Sequence, residues 1–392
     1  MTSTVQQHCI DRLAELIAFD STSANSNLEL IQFIGEYLER KGIQHRLTFN
    51  TEKTKANLWA TIGPEEKGGV VLSGHTDVVP VAGQHWQSDP FTLNQRNERL
   101  YGRGTCDMKG FIACALAHTE TFQQTNLSLP IHFAFSYDEE VGCLGVQNLI
   151  RDVEQNLPRP LAVIVGEPTS MKIVGGTKGG RSYLTRIDGV DGHSSLPDLG
   201  ANAILAASRI IQRLSEIQDR LKSEADPENG FVPYYSTLDL GTIKGGTASN
   251  IIPALCEFHW GFRSLPFQDM DALEDEIRTF ISTEIEPDLK AVSAAAGVTT
   301  TLTSDVPPLA PDEKSAAEQI VRHISRLNES GRVSYATEAG HFQNAGIPGV
   351  IFGPGSIEQA HLPDEYIDIS QMHACSDFML KLAAWAETGN LT

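Results

Sequence analysis

Residues 69–80 read Gly69-Val70-Val71-Leu72-Ser73-Gly74-His75-Thr76-Asp77-Val78-Val79-Pro80. The stretch opens as a short apolar run and ends in a polar cluster, the pattern of a buried strand running out into a loop. Two later segments repeat the theme. Ile131, Phe133, Phe135 and Tyr137 alternate with His132, Ala134 and Ser136, and Leu161-Ala-Val-Ile-Val165 is continuously apolar. Residues 109–123 and 143–155 lie between these runs and read as helices. So do the opening segments, where Val5, Cys9, Leu13, Leu16 and Ile17, then Leu28, Ile31, Ile34 and Leu38, fall at helical spacing. Strands alternating with helices predict an α/β domain.

The pattern changes at Gly175-Gly-Thr-Lys-Gly-Gly180. From there the chain reads as strand (182–187), helix (201–221), strand (236–243), strand (254–262), helix (270–285) and strand (298–302). That β-α-β-β-α-β order builds a small ferredoxin-like two-layer domain. The chain then returns to the first style, with a helix near 314–327, a strand at 349–352 and a closing amphipathic helix from Ser370. The expected organisation is a catalytic domain in two parts, 1–179 and 304–392, with an inserted domain at 180–303. The glycine-rich stretch lacks phosphate-loop spacing, so the reading for it is a hinge.

The chain has 392 residues, enough for two or three domain-sized units, and 41% hydrophobic residues, enough for a buried core. Thirty Lys+Arg against 50 Asp+Glu leave a formal net charge of −20. That average field repels polyanions, so neither nucleic acid nor an anionic membrane is an expected partner. The first twenty residues carry polar and acidic positions where an export signal needs an unbroken apolar core. No apolar run approaches the ~20 residues of a membrane span. Six scattered cysteines without a C-x-x-C pair fit reduced thiols, and the expected location is the cytoplasm.

Chemistry-bearing residues gather at the ends of the predicted strands. His75 and Asp77 follow the first, Glu139 and Glu140 end the second, and Glu167 ends the third. Asp107 sits just before a helix in Gly102-Arg-Gly-Thr-Cys-Asp-Met-Lys-Gly110. Open α/β sheets place their sites at this edge. Several carboxylates and one imidazole collected there repel one another unless a cation sits among them. Mixed nitrogen and oxygen donors suit zinc or a similar divalent transition metal. Five or six donors exceed one tetrahedral ion, whereas two ions sharing a carboxylate, roughly 3.5–4 Å apart, use them all. A second nitrogen is then wanted, and His361 follows the last predicted strand.

These motifs, with Asp138-Glu-Glu-Val-Gly142, Val165-Gly-Glu-Pro-Thr169 and Gly192-His-Ser-Ser195, resemble the dinuclear zinc family of aminoacylases, carboxypeptidases and desuccinylases. The resemblance runs nearly the whole chain, in order. Gly175–Ser182, Ala336-Thr-Glu-Ala-Gly340 and Gly353–His361 are most similar to its bacterial acetylornithine deacetylase branch. The resemblance implies one metal on His75, Asp107 and Glu167 and a second on Asp107, Glu140 and His361, with Asp107 bridging. Zinc is the implied ion and cobalt the alternative. It makes Asp77 the acceptor of the His75 ring N–H, fixing its tautomer, and Glu139 the general base toward a metal-bridging water. It also implies a homodimer through the inserted domain, with His193 reaching the partner's active site to stabilise the oxyanion.

For the α-carboxylate of an N-acyl amino acid, Arg263, Arg181 and Lys178 are the candidate donors, with Asn250 as hydrogen-bond partner. Glu338 is the expected partner of an ornithine ammonium. The implied reaction is removal of acetate from N2-acetyl-L-ornithine. The same chemistry on acetylcitrulline, N-succinyl-diaminopimelate or other N-acyl amino acids is the near alternative, and a catalytically silent metal-binding dimer the distant one. Cys106 has no histidine placed to activate it and reads as a small buried hydrophobe.

Overall fold

The structure is a computed structural model describing residues 2–66 and 68–391. The chain divides into two compact units. The larger contains residues up to Gly176, Leu309–Gly331, and everything from Thr337 onward; the smaller contains Thr177–Pro308 and Arg332–Ala336. The smaller unit thus opens at Thr177 and its main segment closes at Pro308, where the sequence pattern put the edges at 179/180 and 303/304. The return of Arg332–Ala336 to the smaller unit has no counterpart in the sequence pattern.

In the larger unit the strand Val70–His75 lies between Ile131–Ser136 and Ala162–Val165, parallel to both. Gly349–Ile351 continues the parallel set beside Ala162–Val165. His45–Phe49 and Ala56–Ile62 extend the other side antiparallel, and Ile173–Thr177 and Ser330–Val333 complete an eight-stranded sheet. The central strands are buried on both faces, which is why they read as apolar runs.

The helix Lys109–Ala117 is apolar nearly all round and buried from Lys109 to Leu116. It shares one core with Leu13, Leu16 and Ile17 of the helix Thr2–Ile17 and with Met372, Cys375 and Met379 of the helix Ile369–Ala386. Buried Lys109 serves the fold: its Nζ donates to the carbonyls of Leu16 (3.1 Å) and Phe19 (2.9 Å), satisfying the end of the first helix. Among the described residues, no helix is long and apolar enough to cross a membrane.

The smaller unit is a four-stranded antiparallel sheet backed by helices. In spatial order its strands are Thr237–Gly245, Leu255–Ser264, Gly179–Asp188 and Gly297–Val306. Tyr183, Ile187, Phe258, Trp260 and Phe262 from one sheet face meet Ala207, Ile210, Leu214 and Ile277 from the helices Ala203–Glu224 and Met270–Phe280. The second helix continues through a wide turn at Ile281–Ile285 into Glu286–Val292. The turn adjoins Pro287, which lacks an N–H and crowds the preceding carbonyls.

Several elements differ from the sequence pattern. The segment 109–123 is two helices, Lys109–Ala117 and Thr119–Gln124, broken at His118, whose ring Nδ1–H donates to the Cys114 carbonyl (2.8 Å). The glycine-rich stretch is not an open hinge loop. It runs as the strands Ile173–Thr177 and Gly179–Asp188, and a Cβ on Gly175 would stand 2.3 Å from Glu318 Oε2. A small three-stranded sheet, Asn94–Arg96, Arg99–Tyr101 and Tyr366–Asp368, joins two distant parts of the larger unit.

Candidate metal centre

Register brings the acids together. His75 pairs with Ser136, the last residues of their strands, and Ser73 with Val165, so the third strand ends two residues short of the other two. Beyond those ends the chain delivers Asp138-Glu139-Glu140 and Gly166-Glu167. Asp138 takes a left-handed conformation (φ 56°), tolerable for aspartate, and its carboxylate pairs with Lys55. Gly166 is required by close packing, because a Cβ there would lie 2.0 Å from the Phe111 ring.

The larger unit collects His75, Asp77, Asp107, Glu139, Glu140, Glu167 and His361 in one cluster. Asp107 Oδ1 lies 3.0 Å from His75 Nε2 and its Oδ2 3.3 Å from His361 Nε2. Glu140 Oε2 is 3.0 Å from His361 Nε2, and Glu167 Oε1 3.8 Å from His75 Nε2. One carboxylate thus faces two imidazoles, one oxygen each. Donor atoms of His75, Asp107 and Glu140, and of His75, Glu139 and Glu167, fall within 4.8 Å of one another. His75, Asp107 and Glu167 are buried, while His361 is about half exposed (53%).

The electrostatics call for cations. Burial pushes the carboxyls of Glu139, Glu140 and Glu167 above their usual range, and for Glu140 and Glu167 the charge of Asp107 adds to it. Burial acts against a charged His75 ring, yet Asp107, Asp77 and Glu167 hold it well above an ordinary histidine. Asp107 and Glu140 raise His361 to about 10. The acids here cannot all ionise without compensating positive charge. Glu140 Oε1 and Glu167 Oε1 are buried without a hydrogen-bond partner, two acceptors left for an ion to satisfy. The donor set therefore fits divalent metals.

The details around Asp77 correct the expected picture. His75 Nδ1 donates to the main-chain carbonyl of Asp77 (2.9 Å), and the Asp77 carboxylate stands farther off, at 3.6 Å. The carboxylate instead accepts from the backbone N–H groups of Glu139 (3.1 Å) and Glu140 (3.3 Å) and from the Ser23 hydroxyl (2.6 Å). It holds the turn that carries both glutamates. Ser23 escapes sequence reading because nothing local marks a serine fifty-four residues upstream of its partner.

Glu338 also departs from expectation. It is 1% exposed, accepts from the hydroxyls of Ser73 (3.2 Å) and Ser136, and burial raises its carboxyl to about 7. So enclosed a group has no face for a substrate ammonium, and its part is in the floor beneath the strand ends.

The remaining candidates belong to the smaller unit. His193 is exposed, and its Nδ1 accepts from the Ser195 N–H at 3.2 Å, which leaves the ring proton on Nε2 as an outward donor. Asn250 is its neighbour, its carbonyl accepting from the Ser194 N–H (3.1 Å). Arg263 is exposed and lines a hollow of about 270 Å³ with Ser182, Asp239 and His259. Arg181 is committed to Asp271 (2.7 Å) and Asp305 (2.9 Å), and Lys178 is buried with Nζ donating to the Tyr235 carbonyl (2.6 Å). Neither of these two has a free donor face comparable to that of Arg263.

Residues 71–385 match the family model described as Peptidase family M20/M25/M40. The chain belongs to this family. It is a metal-dependent amidohydrolase, a hydrolase of amide C–N bonds. Among M20 relatives, it is 36% identical over 385 residues, 95% of each chain, to the acetylornithine deacetylase of Proteus mirabilis (strain HI4320). Its fold is similar to an M20 family metallo-carboxypeptidase from Sulfolobus solfataricus (TM-score 0.76, 19% identity, 97% of this chain and 99% of that one). It is also similar to a dinuclear metal-binding M20 peptidase from Bacillus subtilis (TM-score 0.64, 16% identity, 97% and 98%).

Proposed function

We propose that this chain hydrolyses N2-acetyl-L-ornithine to acetate and L-ornithine, the step that supplies ornithine to arginine biosynthesis in the cytoplasm. The observation that carries the proposal is the 36% identity to an acetylornithine deacetylase across 95% of both chains. Two divalent metals per subunit are required, zinc first and cobalt as the alternative. His75, Asp107 and Glu167 hold one, and Asp107, Glu140 and His361 the other. When bound, these ions polarise the amide carbonyl and lower the pKa of water at the site.

Glu139 takes the proton of the attacking water and returns it to the departing amine nitrogen. Its carboxyl, raised by burial, suits a group that must both accept and give up a proton. His193 donates from Nε2 to the oxyanion developing on the carbonyl oxygen, supplied across a homodimer formed through the smaller unit. Arg263 and Asn250 hold the substrate α-carboxylate.

The experiment is acetate release by chelator-stripped protein with and without added zinc, with N-acetylcitrulline, N-succinyl-diaminopimelate and N-acetylmethionine alongside and Glu139→Ala as control. Zinc-dependent turnover, fastest on acetylornithine and lost in the variant, is expected. A different preferred acyl amino acid overturns the substrate assignment and keeps the chemistry. Absence of turnover on all four, with metal bound, overturns both.

A further inference from the structure

The metal centre draws its ligands from segments far apart in the chain, and two of them stand on loops away from the parallel strand ends. Asp107 lies on the loop before the helix Lys109–Ala117, and His361 on the loop before the strand Tyr366–Asp368. His361 adopts a left-handed backbone conformation (φ 65°), as does Asp364 (φ 55°). Residues with side chains adopt it at a cost, and persist there only where the surroundings hold them. A loop with two such residues, one of them a half-exposed ligand, needs something to fix it.

We propose that Glu365 is the positioning residue that fixes it, locking the His361 loop to the Asp107 loop. The proposal rests on the metal-centre reading above. The Glu365 carboxylate is 1% exposed and fully subscribed. Its Oε1 accepts from the backbone N–H of Cys106 (2.8 Å) and of Asp107 itself (3.1 Å). Its Oε2 accepts from the Gly104 N–H (3.0 Å) and from Arg103 Nη1 (2.6 Å). Three backbone N–H groups of the Asp107 loop thus converge on one side chain that stands four residues after His361.

Arg103 carries the same tie in the opposite direction. Also 1% exposed, it donates from Nη1 to the Leu362 carbonyl (3.3 Å) and from Nη2 to Gln84 Oε1 (2.6 Å). Gln84 then donates from Nε2 to the carbonyl of His361 (2.8 Å). The indole of Trp86 lies against the guanidinium, 5.1 Å from ring centroid to carbon, and donates to Gln84 Oε1 (3.1 Å). Glu365, Arg103 and Gln84 together thus tie the backbone of one ligand loop to the other.

A fully buried ion pair is a poor device for stability alone, since desolvation offsets most of the attraction. A pair whose remaining hydrogen bonds go to the backbone of two ligand loops, save the one from Arg103 to Gln84, instead fixes geometry. Asp107 is the carboxylate that faces both imidazoles, so a small shift in its loop is felt at both ion positions together.

The test is competition of the full-length, metal-depleted chain against a chromogenic chelator for zinc, in wild type, Glu365→Gln and Gln84→Ala, with thermal unfolding of each metal-free protein. Glu365→Gln keeps the side chain's size but turns an amide N–H₂ toward a backbone donor. Zinc affinity is expected to fall about 10–100-fold, with Gln84→Ala toward the low end of that range. With zinc saturating, kcat is expected to fall and KM to stay. Because Glu365→Gln leaves Arg103 buried without its counter-charge, it can fail to fold; Gln84→Ala, half-buried and uncharged, then decides. A lowered unfolding temperature with wild-type zinc affinity in the folded variants overturns the proposal, since a merely structural tie gives that result. Unchanged affinity and unchanged stability overturn it as well. A wild-type chain that binds no zinc overturns the metal-centre reading itself, and this inference with it.

Discussion

Replacing Asp77 with asparagine separates two jobs that the residue was expected to combine. The His75 tautomer is held by a main-chain carbonyl, which the substitution leaves in place. The carboxylate's own work is to accept from Ser23, Glu139 and Glu140. An asparagine offers one oxygen and one N–H₂ at the same positions. If the nitrogen takes the Oδ2 place, the Glu140 N–H faces a donor; if it takes the Oδ1 place, the Glu139 N–H does. Either way one buried backbone donor of the turn loses its acceptor, at about 1–3 kcal/mol. The surviving bond loses its charge assistance, roughly half its strength. The sum is about 2–4 kcal/mol, to be read as a lower urea midpoint for the metal-free protein. Zinc affinity should fall about 10–100-fold with it, because the turn carries Glu140, a proposed ligand. Ser23→Ala, losing one hydroxyl, should shift both in the same direction by less. A metal-free Asp77→Asn chain that unfolds at the wild-type midpoint and binds zinc as tightly would refute the reasoning.

Glu139→Gln should lower kcat by about 10²–10⁴ while zinc stoichiometry, measured by elemental analysis, stays unchanged; loss of metal would make Glu139 a ligand instead. His193→Ala should lower kcat without altering zinc affinity, since His193 belongs to the other unit, and a loss of metal in a chelator titration would contradict that division. His132, buried between strands, is pushed by burial from 6.5 down to about 4. Its folded form resists protonation, so the unfolded chain takes up the proton first and stability falls as pH drops from 6.5 to 4. At about 1.4 kcal/mol per pH unit the loss is on the order of 3 kcal/mol. His132→Gln should flatten the pH dependence of the urea midpoint across that window, and an unchanged slope would show that other groups carry it.

The elements legible in the sequence were those whose burial is one-sided or complete. Val70–His75 and Ala162–Val165 announce themselves as apolar runs, and the helix Ala203–Glu224 by its periodicity. Ala56–Ile62 is nearly as buried, but Asn57 and Thr61 interrupt its pattern. The N–H₂ of Asn57 is used inside the protein, by Thr48 and the Gly145 carbonyl, a pairing no local rule anticipates. Three-residue strands such as Arg99–Tyr101 are too short to show a period at all. At the site, residue types at strand ends were readable, because register follows from the parallel sheet. Which atom bonds which was not: Asp77 and Glu338 sit where expected in the chain, yet their oxygens turn to partners set by tertiary packing. Glu365 carried no signal beyond its place four residues after a histidine.

The position of Gly349–Ile351 has a consequence for how the protein is made. In the sheet this strand lies between Ala162–Val165 and Ile173–Thr177, yet in the chain it comes after the whole smaller unit. As the ribosome delivers the chain, the sheet must wait with a gap between two of its strands while the four-stranded unit emerges and closes on its own core. At roughly 5–20 residues per second that interval is on the order of ten seconds or more. His361 emerges later still, so on the proposed ligand set a metal could be held by both imidazoles only late in synthesis. Throughout the wait, a half-built sheet with unpaired strand edges is what the nascent chain exposes to chaperones and proteases.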